Sequence, residues 1–185
     1  MEKLPTTFDD IFALKPRVFG DERGFFFEGF NAKKYTDNGI VDDFVQDNFS
    51  RSVKGTIRGL HYQYPNEQGK LVQILRGAVY DAVVDIRKGS PTFGKWTALE
   101  LSAENRLQLW VPPGFAHGFQ ALTDETDVFY KVTDYWSPDC EQSIAWNDPA
   151  LGIEWPLPPQ ALSAKDADAV PLSAQHILPP YKATT

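Results

Sequence analysis

Two of the three histidines in this 185-residue chain fall in stretches that read as strands: His61 in TIRGLHYQYP and His117 in VPPGFAHGFQ. Imidazole titrates near pH 6.5, so such a residue can take up a proton, bind a metal, or sit hydrogen-bonded in a core. The third, His176, lies in the tail with no chemistry around it and is assigned no role. Lys70 opens the run KLVQIL directly after Gly69, where an ammonium can either face solvent or hold a developing anion. In DVFYKV, alternation puts Tyr130 on one apolar face with Val128 and Val132, so the phenol points inward. Arg58 and His61 are three residues apart, and a regular strand would send them to opposite faces. Gly59 lies between them, and glycine inside a strand often marks a bulge. The expectation is a bulge that turns both side chains into one pocket.

These groups need a scaffold, and the sequence offers strands. FVQDNFSRSV, TIRGLHYQ, KLVQIL, AVYDAVVDIR, KWTALELS, RLQLWV, HGFQALT and DVFYKVTDYW are separated by turn-forming clusters. FALKPRVF, GDERG and FFFEGFN read as strand, turn and strand, and NAKKYTDNG (31–39) reads as a helix ending at Gly39. Short strands at regular spacing predict an all-β sandwich or small barrel with a few short peripheral helices. There is no βαβ rhythm, dinucleotide fingerprint or phosphate loop. The tract from about residue 137 to 185 is rich in Pro and Trp and is expected to wrap over the barrel, burying Trp136, Trp146 and Trp155. Within it, LSAKDA reads as a short helix with Ser163 and Asp166 at capping-box positions. Residues 1–185 form one expected domain, without internal repeats.

Eighteen Lys+Arg against 25 Asp+Glu give a net charge of −7, which disfavours nucleic acid as a partner. A small anionic ligand needs only a local cation cluster. Cys140 is the only cysteine, so no intrachain disulfide forms, which fits a reducing compartment. The N-terminus lacks an apolar signal core, and no apolar run is long enough to span a bilayer. A cytoplasmic protein without membrane contact is expected, and the sequon Asn48-Phe49-Ser50 is read as chance.

The segments Gly55-TIRGL-His61-x-Gln63-xxx-Glu67 and Pro112-x-Gly114-xx-His117 together resemble the two motifs of the cupin superfamily, whose fold is a jelly-roll barrel (double-stranded β-helix). In metal-binding cupins the first motif carries His-x-His and a Glu. Here Gln63, a weak ligand, stands at the second His position, which argues against a metal. The resemblance narrows further. DERGFFFE, QDNFSRS, IRGLHYQ, GKLVQILRGAVYDAVVDIR, VPPGFAHGFQ, YKVTDYWSPDCEQSIAWNDPALGIEWP and LSAKDA, in this order over nearly the whole chain, resemble the dTDP-4-dehydrorhamnose 3,5-epimerase family.

That resemblance implies an isomerase without metal or cofactor, acting at C3 and C5 of dTDP-4-keto-6-deoxy-D-glucose. It implies His61 as the base, Asp166 behind its other nitrogen, Lys70 at the enolate oxygen and Tyr130 as the acid on the opposite ring face. It places His117 in the pocket and assigns substrate binding to Arg23, Glu28, Gln46, Asn48, Arg58, Trp136 and Glu141. Position 136 is usually a Tyr stacked on the thymine or sugar, and Trp can stack there too. The resemblance also implies a homodimer in which the N-terminal strands, about residues 1–30, pair with the neighbouring subunit. Three alternatives stay open on sequence: an epimerase of a single carbon, a metal-dependent cupin enzyme with His61, Glu67 and His117 as ligands, and a non-catalytic sugar-binding cupin.

Overall fold

The computed structural model describes residues 1–182. Its strands are β1 (Glu2–Pro5), β2 (Phe12–Lys15), β3 (Phe19–Asp21), β4 (Gly24–Phe26), β5 (Gln46–Ser52), β6 (Ile57–Gln63), β7 (Lys70–Arg76), β8 (Ala78–Asp85), β9 (Trp96–Ser102), β10 (Gln108–Val111), β11 (Phe115–Ala121), β12 (Thr126–Val132) and β13 (Glu141–Ser143). Two short helices, α1 (Ala32–Thr36) and α2 (Ala164–Ala167), lie at the periphery. Every run read as a strand between residues 44 and 136 overlaps one of β5 to β12, because short apolar and β-branched runs bounded by turn residues favour strands.

A six-stranded sheet in the order β1-β2-β10-β7-β12-β5 faces a five-stranded sheet in the order β13-β6-β11-β8-β9. The space between them is closed by apolar residues of both inner faces, among them Val72 and Ile74 of β7, Val79 and Val83 of β8, Phe115 and Phe119 of β11, and Val128 of β12. This is the all-β jelly-roll architecture of the cupins. No helix among the described residues is long and apolar enough to cross a membrane.

The N-terminal reading needs correction. FALKPRVF is not one strand. Lys15-Pro16 ends β2, which pairs with β1 and β10 in the large sheet, and the chain resumes as β3, which pairs only with β4. Pro16 supplies no N–H for a ladder, so the break falls at that residue. The β3–β4 hairpin therefore stands apart from both sheets. Phe25 and Phe26 on it are 60% and 67% exposed, so within one chain they are not core.

The helix expected at 31–39 spans Ala32–Thr36, capped by the Asn31 side chain on the Lys34 N–H, with Gly39 following at φ +100°. The C-terminal wrap is anchored by side chains of the barrel. Gln120 brackets Leu157 with two bonds (2.7 and 2.9 Å), and Trp96 donates to the Leu151 carbonyl at 2.7 Å. Trp146 and Trp155 are half-buried and joined by a 2.8 Å bond from the Trp155 indole to the Trp146 carbonyl. Trp136, expected to be buried, is 55% exposed, because it stands at the rim of a cavity.

Candidate active site

At one end of the barrel the inner faces turn from apolar to polar, and a cavity opens between the sheets. One wall carries His61 of β6 and His117 of β11, directly cross-strand from each other. The opposite wall carries Lys70 of β7 and Tyr130 of β12, with Gln46 and Asn48 of β5 beyond them. Alternation along each strand explains the inward aim: Lys70 shares a face with Val72 and Ile74, and Tyr130 with Val128 and Val132.

Arg58 and His61 both line this cavity. The ladder between β6 and β11 shifts there: two steps along β11, from His117 to Phe119, match three along β6, from His61 to Arg58. The extra residue falls at the Gly59 step, and Gly59 has φ +124°. A Cβ at Gly59 would stand 2.5 Å from the Gly118 Cα and 2.8 Å from the His117 carbonyl oxygen. The bulge thus requires two glycines facing each other, and it restores a common face to Arg58 and His61. Arg58 is held by 3.0 Å bonds to the Ser52 hydroxyl and the Arg51 carbonyl.

His61 Nε2 donates to Asp166 Oδ1 at 2.5 Å, and Asp166 is almost wholly buried. Burial pushes the Asp166 carboxyl up, but the bond and charge of His61, with help from the Ser163 hydroxyl, bring it below its usual range. Burial of His61 lowers the imidazole below its ordinary 6.5, outweighing the pull of Asp166. The pair at neutral pH is therefore a neutral imidazole behind an anionic carboxylate, with Nδ1 left as the basic nitrogen. The capping reading of LSAKDA holds only in half: Ser163 accepts from the Asp166 N–H at 3.1 Å, while the Asp166 carboxylate is committed to His61.

His117 Nε2 donates to Asp81 Oδ1 at 2.8 Å, a second buried histidine–carboxylate pair, and Asp81 Oδ2 has no partner among the described residues. Lys70 reaches the His61 carbonyl across the cavity at 3.3 Å. Burial brings its ammonium down to about 8, against the opposing charges of Glu141 and Asp81. Burial, then the Glu141 charge, raises the Tyr130 phenol, which stays protonated as a donor must. Glu141 lines the cavity from β13 and pairs with Lys165 of α2 at 2.8 Å. Burial raises its carboxyl, but Lys165 brings it below the ordinary value. At the rim, Gln46 accepts from the Trp136 N–H at 3.0 Å and donates to Asn48 at 2.9 Å.

The remaining expected residues are placed differently. Arg23 is exposed at the tip of the β3–β4 hairpin and paired to Asp21. Glu28 follows the hairpin, exposed, and bonds to Lys34 and Asn31. Neither lines the cavity of its own chain. The metal alternative finds no cage. The amide of Gln63 is consumed by bonds to Asn66, Tyr135 and Ser137, and Glu67 lies against Gly114 outside the cavity lining. No three His, Cys, Asp or Glu side chains among the described residues gather as metal ligands. His176 is exposed in the tail.

Asp81 and Lys165 were not singled out from the sequence. Asp81 had a legible signal: it alternates with Val79 and Val83 on a buried face, where a carboxylate requires a partner. Lys165 had none, since its contact to Glu141 depends on how the wrap returns to the barrel.

Comparison with known proteins finds likenesses over nearly the whole chain. The dTDP-4-dehydrorhamnose 3,5-epimerase of Salmonella typhimurium is 54% identical over 180 residues, which is 95% of this chain and 97% of the relative. That of Neisseria gonorrhoeae is 55% identical over 157 residues, 85% of this chain, and this chain spans about half (48%) of that longer protein. The crystal structure of the dTDP-6-deoxy-D-glucose-3,5-epimerase of Legionella pneumophila, solved with dTDP-4-keto-L-rhamnose, superposes with a TM-score of 0.96 at 52% identity, covering 98% of this chain and 99% of that one. The family model described as dTDP-4-dehydrorhamnose 3,5-epimerase matches residues 5–174, and with these likenesses over nearly its whole length the chain belongs to the dTDP-4-dehydrorhamnose 3,5-epimerase family.

Proposed function

We propose that this chain inverts C3 and C5 of dTDP-4-keto-6-deoxy-D-glucose, giving dTDP-4-keto-L-rhamnose, with its own side chains as the acid and base. One observation carries the reading: a histidine–carboxylate pair and a protonated phenol occupy opposing walls of a single cavity. A sugar ring between two sheets shows one face to each. His61 Nδ1 takes the proton from the carbon beside the ketone, and the C–H electrons form the enolate C=C bond. Charge moves to the C4 oxygen, where the Lys70 ammonium is the available stabiliser, while His117, its Nε2–H given to Asp81, lines the wall beside it. Tyr130 then gives its proton to the same carbon from the other face, which inverts it. His61 then gives its proton to solvent and Tyr130 regains one from solvent, and repetition at the second carbon flanking the ketone completes the reaction.

The rest of the site is read as substrate-binding. Arg58, Gln46, Asn48 and Glu141 serve the diphosphate and sugar, and Trp136, exposed at the rim, offers a flat platform to thymine. Arg23 and Glu28 enter the same reading through a homodimer, in which the β3–β4 hairpin of one subunit reaches the cavity of the other. The exposed phenylalanines of that hairpin and its isolation from both sheets support this. Cytoplasmic residence belongs to the same proposal and rests on the single cysteine, Cys140.

Incubation of the enzyme with dTDP-4-keto-6-deoxyglucose in D2O tests the chemistry. Deuterium is expected at both C3 and C5. Incorporation at one carbon alone would make the chain a single-carbon epimerase, and none at either would remove the assignment. His61→Ala is expected to abolish exchange while circular dichroism stays that of the folded barrel.

A further inference from the structure

The β3–β4 hairpin bears no sheet contacts of its own, yet the residue that follows Glu28 is held with unusual completeness. The Gly29 carbonyl accepts from Gln108 Nε2 at 2.8 Å and lies 3.0 Å from the Tyr35 hydroxyl. Gln108 gives its second amide proton to Gln73 Oε1 at 3.0 Å, and its Oε1 accepts from Tyr35. Every polar atom of the Gln108 side chain is thus occupied, in a residue that is wholly buried. Gln108 and Gln73 are cross-strand neighbours on β10 and β7, in the middle of the six-stranded sheet, and Tyr35 is the buried residue of α1.

Polar groups in such a place carry a cost that leucines would not, so their fixed geometry calls for a use. Around them the packing is apolar: Phe12, Leu14, Leu71 and Trp110 share the cluster with Tyr35. What the three side chains hold is one backbone carbonyl at the root of the hairpin. Next to it, Glu28 is fixed by Lys34 of α1 and by Asn31, the residue that caps it, and Phe30 packs on the Tyr35 ring at 5.0 Å between centroids. Beyond the root, the hairpin touches the body through the Arg106 guanidinium over Phe25, 4.2 Å from its centroid. A projection tied this firmly at its base and so little elsewhere is aimed by its base.

We infer that Tyr35, Gln73 and Gln108 form a clamp that sets the direction of the β3–β4 hairpin and so positions Arg23 and Glu28 in the neighbouring subunit's cavity. They are positioning residues for a nucleotide subsite that they do not touch, and the inference rests on the two-subunit site proposed above.

The test uses mixed dimers of two differently tagged, co-expressed chains, one carrying His61→Ala and the other Arg23→Ala. The only intact site then combines the His61 cavity of the second chain with the Arg23 hairpin of the first. Gln108→Leu is added to either chain in turn, and KM and kcat are measured with dTDP-4-keto-6-deoxyglucose. Added to the His61→Ala chain, which lends the hairpin, it is expected to raise KM about tenfold, equivalent to about 1.4 kcal/mol of lost binding. Added to the Arg23→Ala chain, which lends the cavity, it leaves KM at the value of the mixed dimer without it. Equal effects in both placements, or none in either, would overturn the clamp and leave the two-subunit site standing. If the mixed dimer without Gln108→Leu has no activity, the two-subunit reading fails and the clamp's role fails with it. Tyr35→Phe, which removes a single hydroxyl, is run in both placements, so the comparison stands even where Gln108→Leu does not fold.

Discussion

His61 shows how burial and pairing divide the labour at one side chain. Asp166 fixes which nitrogen carries the proton, and burial keeps the imidazole neutral and ready to accept another. Lys70 shows the converse: burial brings its ammonium down to about 8, close to working pH. The pH dependence follows in sign. In the proposed mechanism, protonation below the His61 pKa, which lies under 6.5, removes the base, and above about 8 Lys70 loses the charge assigned to steadying the enolate. A bell-shaped profile of kcat/KM is expected. Lys70→Met should lower kcat by about 10²–10³-fold and delete the alkaline limb from the residual activity. An alkaline limb that survives near the same pH in Lys70→Met would assign it to another group. At this scale alternation made Tyr130 legible, because its neighbours at ±2 are valines. Asp166 was legible as a helix-capping position, but the bond of its carboxylate to His61 spans 105 residues and no local pattern encodes it.

Strands and helices were mostly readable because each owes its shape to neighbours within a few residues. The eight runs from residue 44 to 136 are short and bounded by turn-forming clusters, and Asn31 and Gly39 frame α1 as capping chemistry dictates. FALKPRVF misled because its apolar residues conceal a change of sheet at Pro16. The most informative element is the bulge in β6. Parity alone demanded it, since Arg58 and His61 could not otherwise share a pocket, and Gly59 was the residue able to form it. Gly59→Ala adds a methyl that meets Gly118 at 2.5 Å, on a backbone at φ +124°. Strain at such a position costs about 1–3 kcal/mol, and forced repacking adds a similar amount. A melting temperature lower by roughly 10 °C is expected, at about 2–4 °C per kcal/mol for a chain of this size. The lever is local to the site, so kcat should fall in the fraction that remains folded. Calorimetry with kinetics at a temperature well below the transition checks both. Unchanged stability and turnover would mean that the two strands can separate there without disturbing His61.

The molecule as a whole presents an imbalance that one chain does not resolve. Its cavity holds the acid–base groups, while Arg23 and Glu28 stand outside it on a hairpin with Phe19, Phe25 and Phe26 between 52% and 67% exposed. Phe49 and Leu75 of the six-stranded sheet are 59% and 50% exposed as well. Apolar side chains of this size on a chain of net charge −7 are costly in water unless a surface covers them. The homodimer proposed above supplies such a surface, and in it the arginine at the hairpin tip would carry a cation toward the diphosphate proposed for the partner's cavity. Each large side chain fully buried contributes about 1.5–3 kcal/mol. A carboxylate at position 26 replaces that gain with a desolvation cost. Phe26→Asp is therefore expected to halve the mass seen by sedimentation equilibrium at micromolar concentration. On the proposed two-subunit site the same change should raise KM for the nucleotide sugar, because the hairpin would no longer reach the partner's cavity, while circular dichroism stays unaltered, because the hairpin shares no ladder with either sheet. A variant that keeps the native mass and KM would show that Phe26 lies outside the subunit contact. A monomer with unchanged KM would separate the two roles and leave Arg23 without a part in binding.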